Sequence, residues 1–188
     1  MPSRNYRLGR RQAAVDHTRA AILKAARDLL ASGESEVSAG AVAQRAGVSR
    51  ITVYNRFGSK AGLLRELAEA ARGAPAGSRP EPPPENARDR LKQRIAMSCS
   101  MWSADPALFR RLEAIGNLEM NAPSEDRALA EELATGDQLR PGCSLKEAED
   151  VIGALTSFEV FDRLHKDGRR STAAVTDILI RLMAGILA

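Results

Sequence analysis

The sequence predicts an all-α protein: a group of short N-terminal helices, a proline-rich break, and a C-terminal helical bundle, about nine helices in all. Three observations carry this. Apolar residues recur at helical spacing along most of the 188 residues. Ser, Asp-Pro and Gly punctuate those runs where helices start and stop. No run alternates polar and apolar residues over a length that a strand needs.

Taken in order, residues 1–15 carry Arg4, Arg7, Arg10 and Arg11 with no acid before Asp16, and read as a mobile basic arm. A helix is predicted from Asp16 to Ala31, with Ile22, Leu23, Ala26, Leu29 and Leu30 on one face and Gly33 as its stop. Ser38 caps a short helix that Gly47 ends, and Ser49 caps a second one through Phe57. After Gly58, Ser59 caps a fourth helix through Leu63, Leu64, Leu67 and Ala71. Residues 73–84 hold five of the nine prolines and form a Pro/Gly-rich loop. Helices at about 85–103, 106–120, 124–135, 145–167 and 172–187 follow, started by Pro106, Ser124, Ser144 and Ser171 and stopped by Gly136 and Gly168.

Composition narrows the function. Net charge is +4, but residues 1–72 hold 13 Lys+Arg against 6 Asp+Glu, and the remainder holds 15 against 18. A basic first third points to a polyanionic partner for that part alone. No uncharged apolar run reaches the ~18–20 residues of a membrane span, and no apolar stretch follows the basic N-terminus as in a secretory signal. Cys99 and Cys143 stand apart, with only His17 and His165 to join them, which predicts no metal site, no disulfide framework and a reducing cytoplasm. Phosphate-loop, HExxH and GxSxG signatures are missing, and no cofactor or catalytic residue is assigned. The expected protein is not an enzyme.

The segment 38–57 carries the functional argument. Ala43, Gly47 and Val53 fall at offsets 0, 4 and 10. A small residue at 43 lets two helices cross closely, Gly47 supplies a left-handed turn, and Val53 with Phe57 anchors the second helix to the core. This is helix-turn-helix spacing, whose second helix enters a DNA major groove. On a helical projection Ile51, Thr52 and Asn55 lie opposite Val53 and Phe57, with Arg50 in the exposed first turn. Arg reads guanine, Asn reads adenine, and an apolar side chain meets a thymine methyl. Ser38, Thr52, Tyr54, Arg56 and Lys60 suit phosphate contact. A plain helical hairpin with a solvated polar face would share the periodicity, but not the offsets together with the basic charge.

These residues bring a family into view. AAILKAARDLLASG followed by VAQRAGVSRITVYNRFGSKAGLLRELAE resembles the DNA-binding domain of TetR/AcrR-type transcriptional regulators over about residues 18–69. The resemblance implies a homodimer, a three-helix DNA-binding domain, a helical ligand-binding domain, and repression of a palindromic operator relieved by a small molecule. It further implies Arg50, Ile51 and Asn55 as base readers, and Ser38, Thr52, Tyr54, Arg56 and Lys60 as phosphate contacts. Gly40 departs from the basic or polar residue many members carry, and Ile51 from a small one. The domain boundaries expected are 16–72 for DNA binding and 85–188 for ligand binding and dimerisation.

One such module reads too few base pairs to select a genomic site, so a two-fold dimer is expected. The stripes of the last two helices supply the interface candidates Val151, Leu155, Phe158, Ile178, Leu182 and Ile186, although both stripes also serve the subunit's own core. Met97, Met101, Trp102, Phe109, Leu112 and Met120 are the candidates for an adaptable apolar pocket, core packing being the alternative. Two other functions fit the same residues: a DNA-binding regulator or activator without a ligand, and a helical small-molecule-binding protein whose helix-turn-helix is vestigial.

Overall fold

The structure, a computed structural model, describes residues 4–32, 37–72, 84–114 and 123–188. It contains α1 (Arg4–Ala31), α2 (Ala39–Ala46), α3 (Arg50–Phe57), α4 (Lys60–Arg72), α5 (Ala87–Ala104), α6 (Pro106–Ala114), α7 (Pro123–Thr135), α8 (Leu145–Thr156), α9 (Phe158–Asp162) and α10 (Thr172–Leu182). A π-helical turn (Arg163–Asp167) follows α9 and a 3-10 turn (Met183–Gly185) follows α10. Among the described residues, the β-pairing outside helices is a single isolated bridge, Leu139 to Leu187.

The chain divides into two compact units. One comprises the residues up to Ala71 with the second half of α6 from Arg110, and the other comprises most of the remainder. In the first unit α2 packs on both α1 and α3. Ile22, Ala26, Leu30, Val42, Ala43, Val53, Leu63 and Leu64 are buried there. Arg19 of α1 also pairs with Glu66 of α4 at 2.7 Å.

The predicted start of the first helix near Asp16 is corrected. The helix runs back to Arg4, so residues 4–15 are not an irregular arm. Arg, Leu, Gln and Ala are good helix formers, and the single Gly9 does not stop a helix already propagating from its C-terminal side. The predicted stop at Gly33 and most of the 73–84 loop lie outside the described residues.

In the second unit α5 packs against α7, α8, α9 and α10, and α7 against α8. Trp102, Phe109, Phe158 and Phe161 form a connected aromatic core. The Trp102 and Phe109 rings meet edge to face at 4.8 Å between centroids, and Phe158 lies 5.4 Å and 5.6 Å from them.

The single helix predicted over 145–167 is broken at Ser157, which brings the α-helices among the described residues to ten. In an unbroken helix the Thr156 carbonyl would accept from the Val160 N–H. Here the Trp102 indole N–H donates to that carbonyl at 3.0 Å, and the Val160 N–H donates instead to Ser157 Oγ at 3.3 Å. Ser157 is extended (φ −74°, ψ 151°) and becomes the N-cap of α9.

Candidate nucleic-acid interface

The helix-turn-helix is built from its caps inward. Ser38 is extended and its Oγ accepts from the Ala41 N–H at 3.1 Å, which starts α2. Gly47 ends α2 in the left-handed region (φ 67°), and the Val48 N–H returns to the Ala43 carbonyl at 3.0 Å. Ser49 Oγ then accepts from the Thr52 N–H at 3.0 Å and starts α3. The turn between the helices is thus made by the left-handed Gly47 and the Ser49 cap, with Val53 and Phe57 buried beneath α3.

Burial sorts the faces as the offsets require. Ala43, Val53 and Phe57 are buried. Ile51 is 70% exposed and Tyr54 42% exposed, and Arg50, Asn55, Arg56 and Lys60 are exposed as well. An isoleucine this accessible adds little to the subunit's own core and suits an apolar contact such as a thymine methyl. Thr52 is half-buried, and its hydroxyl shares a 2.8 Å hydrogen bond with Ser49, so it is engaged within the cap. Gly40 is exposed, and a Cβ there would lie 3.7 Å from Ser38 Oγ, so a larger side chain fits.

The sequence reading did not find the pairing of Arg50 with Tyr54. Arg50 Nη2 donates to the Tyr54 hydroxyl at 3.3 Å, and the guanidinium carbon sits 5.5 Å from the ring centroid. The hydrogen bond pushes the arginine pKa further up from its ordinary value. The signal was there, because the two residues are an i, i+4 pair on one helix. Gly62 was missed as well: a Cβ there would collide with the Phe57 carbonyl oxygen, so the start of α4 needs glycine to approach the end of α3.

The arrangement is matched by a known pattern. Residues 22–67 match the family described as bacterial regulatory proteins, tetR family. Over that stretch the chain is similar to the tetR family. The match lies inside the 18–69 segment whose motifs suggested it, and the tetR-like likeness extends to both units as a fold. Native NalD, the secondary repressor of the MexAB-OprM multidrug efflux pump in Pseudomonas aeruginosa, is 22% identical, covers 92% of this chain and 98% of its own, and superposes with a TM-score of 0.64. A tetR family transcription regulator from Shewanella sp. PV-4 is 16% identical over 91% and 98%, with a TM-score of 0.62. FadR from Bacillus subtilis, in complex with stearoyl-CoA, is 16% identical over 87% and 96%, at 0.59. No curated protein matches the chain.

The residues singled out in the C-terminal part of this tetR-like chain fall into different settings. Of the pocket candidates, Trp102, Phe109 and Leu112 are fully buried, Met101 is half-buried, and Met97 is 65% exposed. Met120 lies outside the described residues. Of the interface candidates, Leu155, Phe158 and Ile186 are buried within the subunit and have almost no surface left to offer a partner. Val151 and Ile178 are half-buried, and Leu182 is 54% exposed. Among the described residues no helix is long and apolar enough to cross a membrane, and no cluster of three metal-ligating side chains occurs.

Proposed function

We propose that the protein is a homodimeric, cytoplasmic transcriptional regulator that binds palindromic double-stranded DNA and represses until a small molecule releases it. The observation that carries the DNA-binding reading is α3: capped by Ser49 and anchored through Val53 and Phe57, it leaves Arg50, Ile51 and Asn55 exposed together. Arg50, Ile51 and Asn55 then meet base edges, while Ser38, Tyr54, Arg56 and Lys60 take phosphates. Thr52, whose hydroxyl shares a hydrogen bond with Ser49, joins them through the hydrogen-bonding capacity that this bond leaves over.

Repression and ligand release draw support from the fold's company, since NalD is a repressor and FadR was solved with stearoyl-CoA. A ligand acts by preferring a conformer in which the two recognition helices no longer match successive major grooves; a preference of a few kcal/mol suffices. A regulator without a ligand is favoured by one observation. Trp102, Phe109 and Phe158 fill their part of the C-terminal core with their own rings, so a ligand there must open the packing.

Selection of bound duplexes from a random pool, with the mass of the protein–DNA complex recorded in parallel, tests the reading. Enrichment of a palindrome by a dimer supports it and supplies the operator for a ligand-release screen. A folded protein that enriches nothing points instead to a helical binding protein with a vestigial helix-turn-helix.

A further inference from the structure

Arg50 and Tyr54 stand one turn apart on the exposed side of α3, joined by a 3.3 Å hydrogen bond and by placement of the guanidinium 5.5 Å from the ring centroid. We propose that Tyr54 is a positioning residue for Arg50: it holds the guanidinium for base reading while its own O–H donates a hydrogen bond to a DNA phosphate, so that one oxygen links sequence reading to backbone anchoring. This rests on the reading of Arg50 as a base contact.

The argument is one of donors and acceptors. A tyrosine hydroxyl has one proton to give and two lone pairs to receive with; a guanidinium has five N–H donors and no acceptor. Arg50 therefore fills a lone pair of the hydroxyl, and the hydroxyl proton cannot be returned to it. That proton is left to point outward, where a phosphate oxygen is the acceptor that DNA supplies. Arg50 meanwhile keeps four N–H groups, enough for the bidentate contact with guanine O6 and N7. On the same helix the Thr52 hydroxyl is paired with Ser49 at 2.8 Å, while the Tyr54 hydroxyl receives Arg50. An arginine already held against a ring also loses less freedom on meeting a base than one that rotates freely.

The test uses the full-length chain, the duplex recovered by selection, and a set of its single-base-pair variants, with Tyr54→Phe, Arg50→Ala and the double variant measured by fluorescence anisotropy. Phe keeps the ring and removes only the hydroxyl. Tyr54→Phe is expected to weaken binding to every duplex and, beyond that, to lower discrimination roughly three- to tenfold at the one position where Arg50→Ala also lowers it. The double variant should discriminate no worse at that position than Arg50→Ala alone. If Tyr54→Phe weakens all duplexes by one common factor, Tyr54 is a phosphate anchor only and the proposal is wrong while the base-reading role of Arg50 stands. If Arg50→Ala leaves every base preference intact, the underlying reading fails and takes the proposal with it.

Discussion

Arg94 of α5 holds the buried carboxylate of Asp126 on α7 through Nη2, while its Nη1 reaches Glu125 at 2.9 Å. Asp126 is the one buried charged residue among those described, 3% exposed, and burial pushes its carboxyl pKa up against the opposing pull of Arg94. The folded chain thus binds this proton more tightly than the unfolded chain, where an aspartate titrates near about 3.9. The contribution of Asp126 to stability is therefore lost as pH rises from that value through the raised one, and is level above it. Asp126→Asn should flatten this part of the melting-temperature profile against pH. Arg94→Ala should destabilise by roughly 2–3 kcal/mol at neutral pH, less than a fully buried pair because Arg94 keeps some contact with water, and the loss should shrink in acid as Asp126 takes up its proton.

Gly47 and Gly62 are both in the first unit, but they are needed for different reasons. At Gly47 a Cβ meets nothing within 4 Å, and the cost of a side chain is the left-handed φ of 67° alone. At Gly62 the Cβ would collide with the Phe57 backbone. Gly47→Ala should cost about 1 kcal/mol, and Gly62→Ala more than about 2 kcal/mol, in urea unfolding. Equal costs would mean that the α3–α4 junction yields more easily than its geometry suggests.

Leu182→Glu and Phe158→Ala test the proposed assembly and the folding separately. Phe158 is enclosed by Trp102, Phe109 and Phe161, so Phe158→Ala should cost about 3–5 kcal/mol of subunit stability. Leu182 is 54% exposed, and Leu182→Glu should change that stability by no more than about 0.5 kcal/mol. Sedimentation at a series of concentrations should nonetheless show weaker dimerisation for Leu182→Glu. Unchanged association would remove Leu182 from the interface.

Lys60 opens α4 and is exposed beside the end of the recognition helix. As the proposed phosphate contact it would be one of the charges that displace counterions. Lys60→Ala should weaken binding to specific and random duplexes alike, and should lower the slope of log affinity against log salt by about one unit. A slope that stays the same would show that Lys60 does not meet the backbone.

The sequence by itself determined the local devices, because each is made by residues a few positions apart. Ser38, Ser49, Ser144 and Ser171 cap the helices predicted for them, and Gly47 is left-handed where the spacing requires it. The stops at Gly136 and Gly168 are right to within a residue, but the positive φ falls on Asp137 and Arg169. The faces of α3 followed from 3.6-residue periodicity, which is why Val53 and Phe57 were separable from Ile51 and Asn55. What the tertiary structure alone decided involves partners far apart in the chain. The break at Ser157 involves an indole that reaches the Thr156 carbonyl from 54 residues away, and the Asp126 clamp an arginine 32 residues away. The same holds for the C-terminal stripes: periodicity shows that Phe158, Leu155, Ile186 and Leu182 are apolar and share helix faces, but not which of them the subunit itself covers. Burial depends on what packs against a face, and a helix's own sequence does not contain its neighbour.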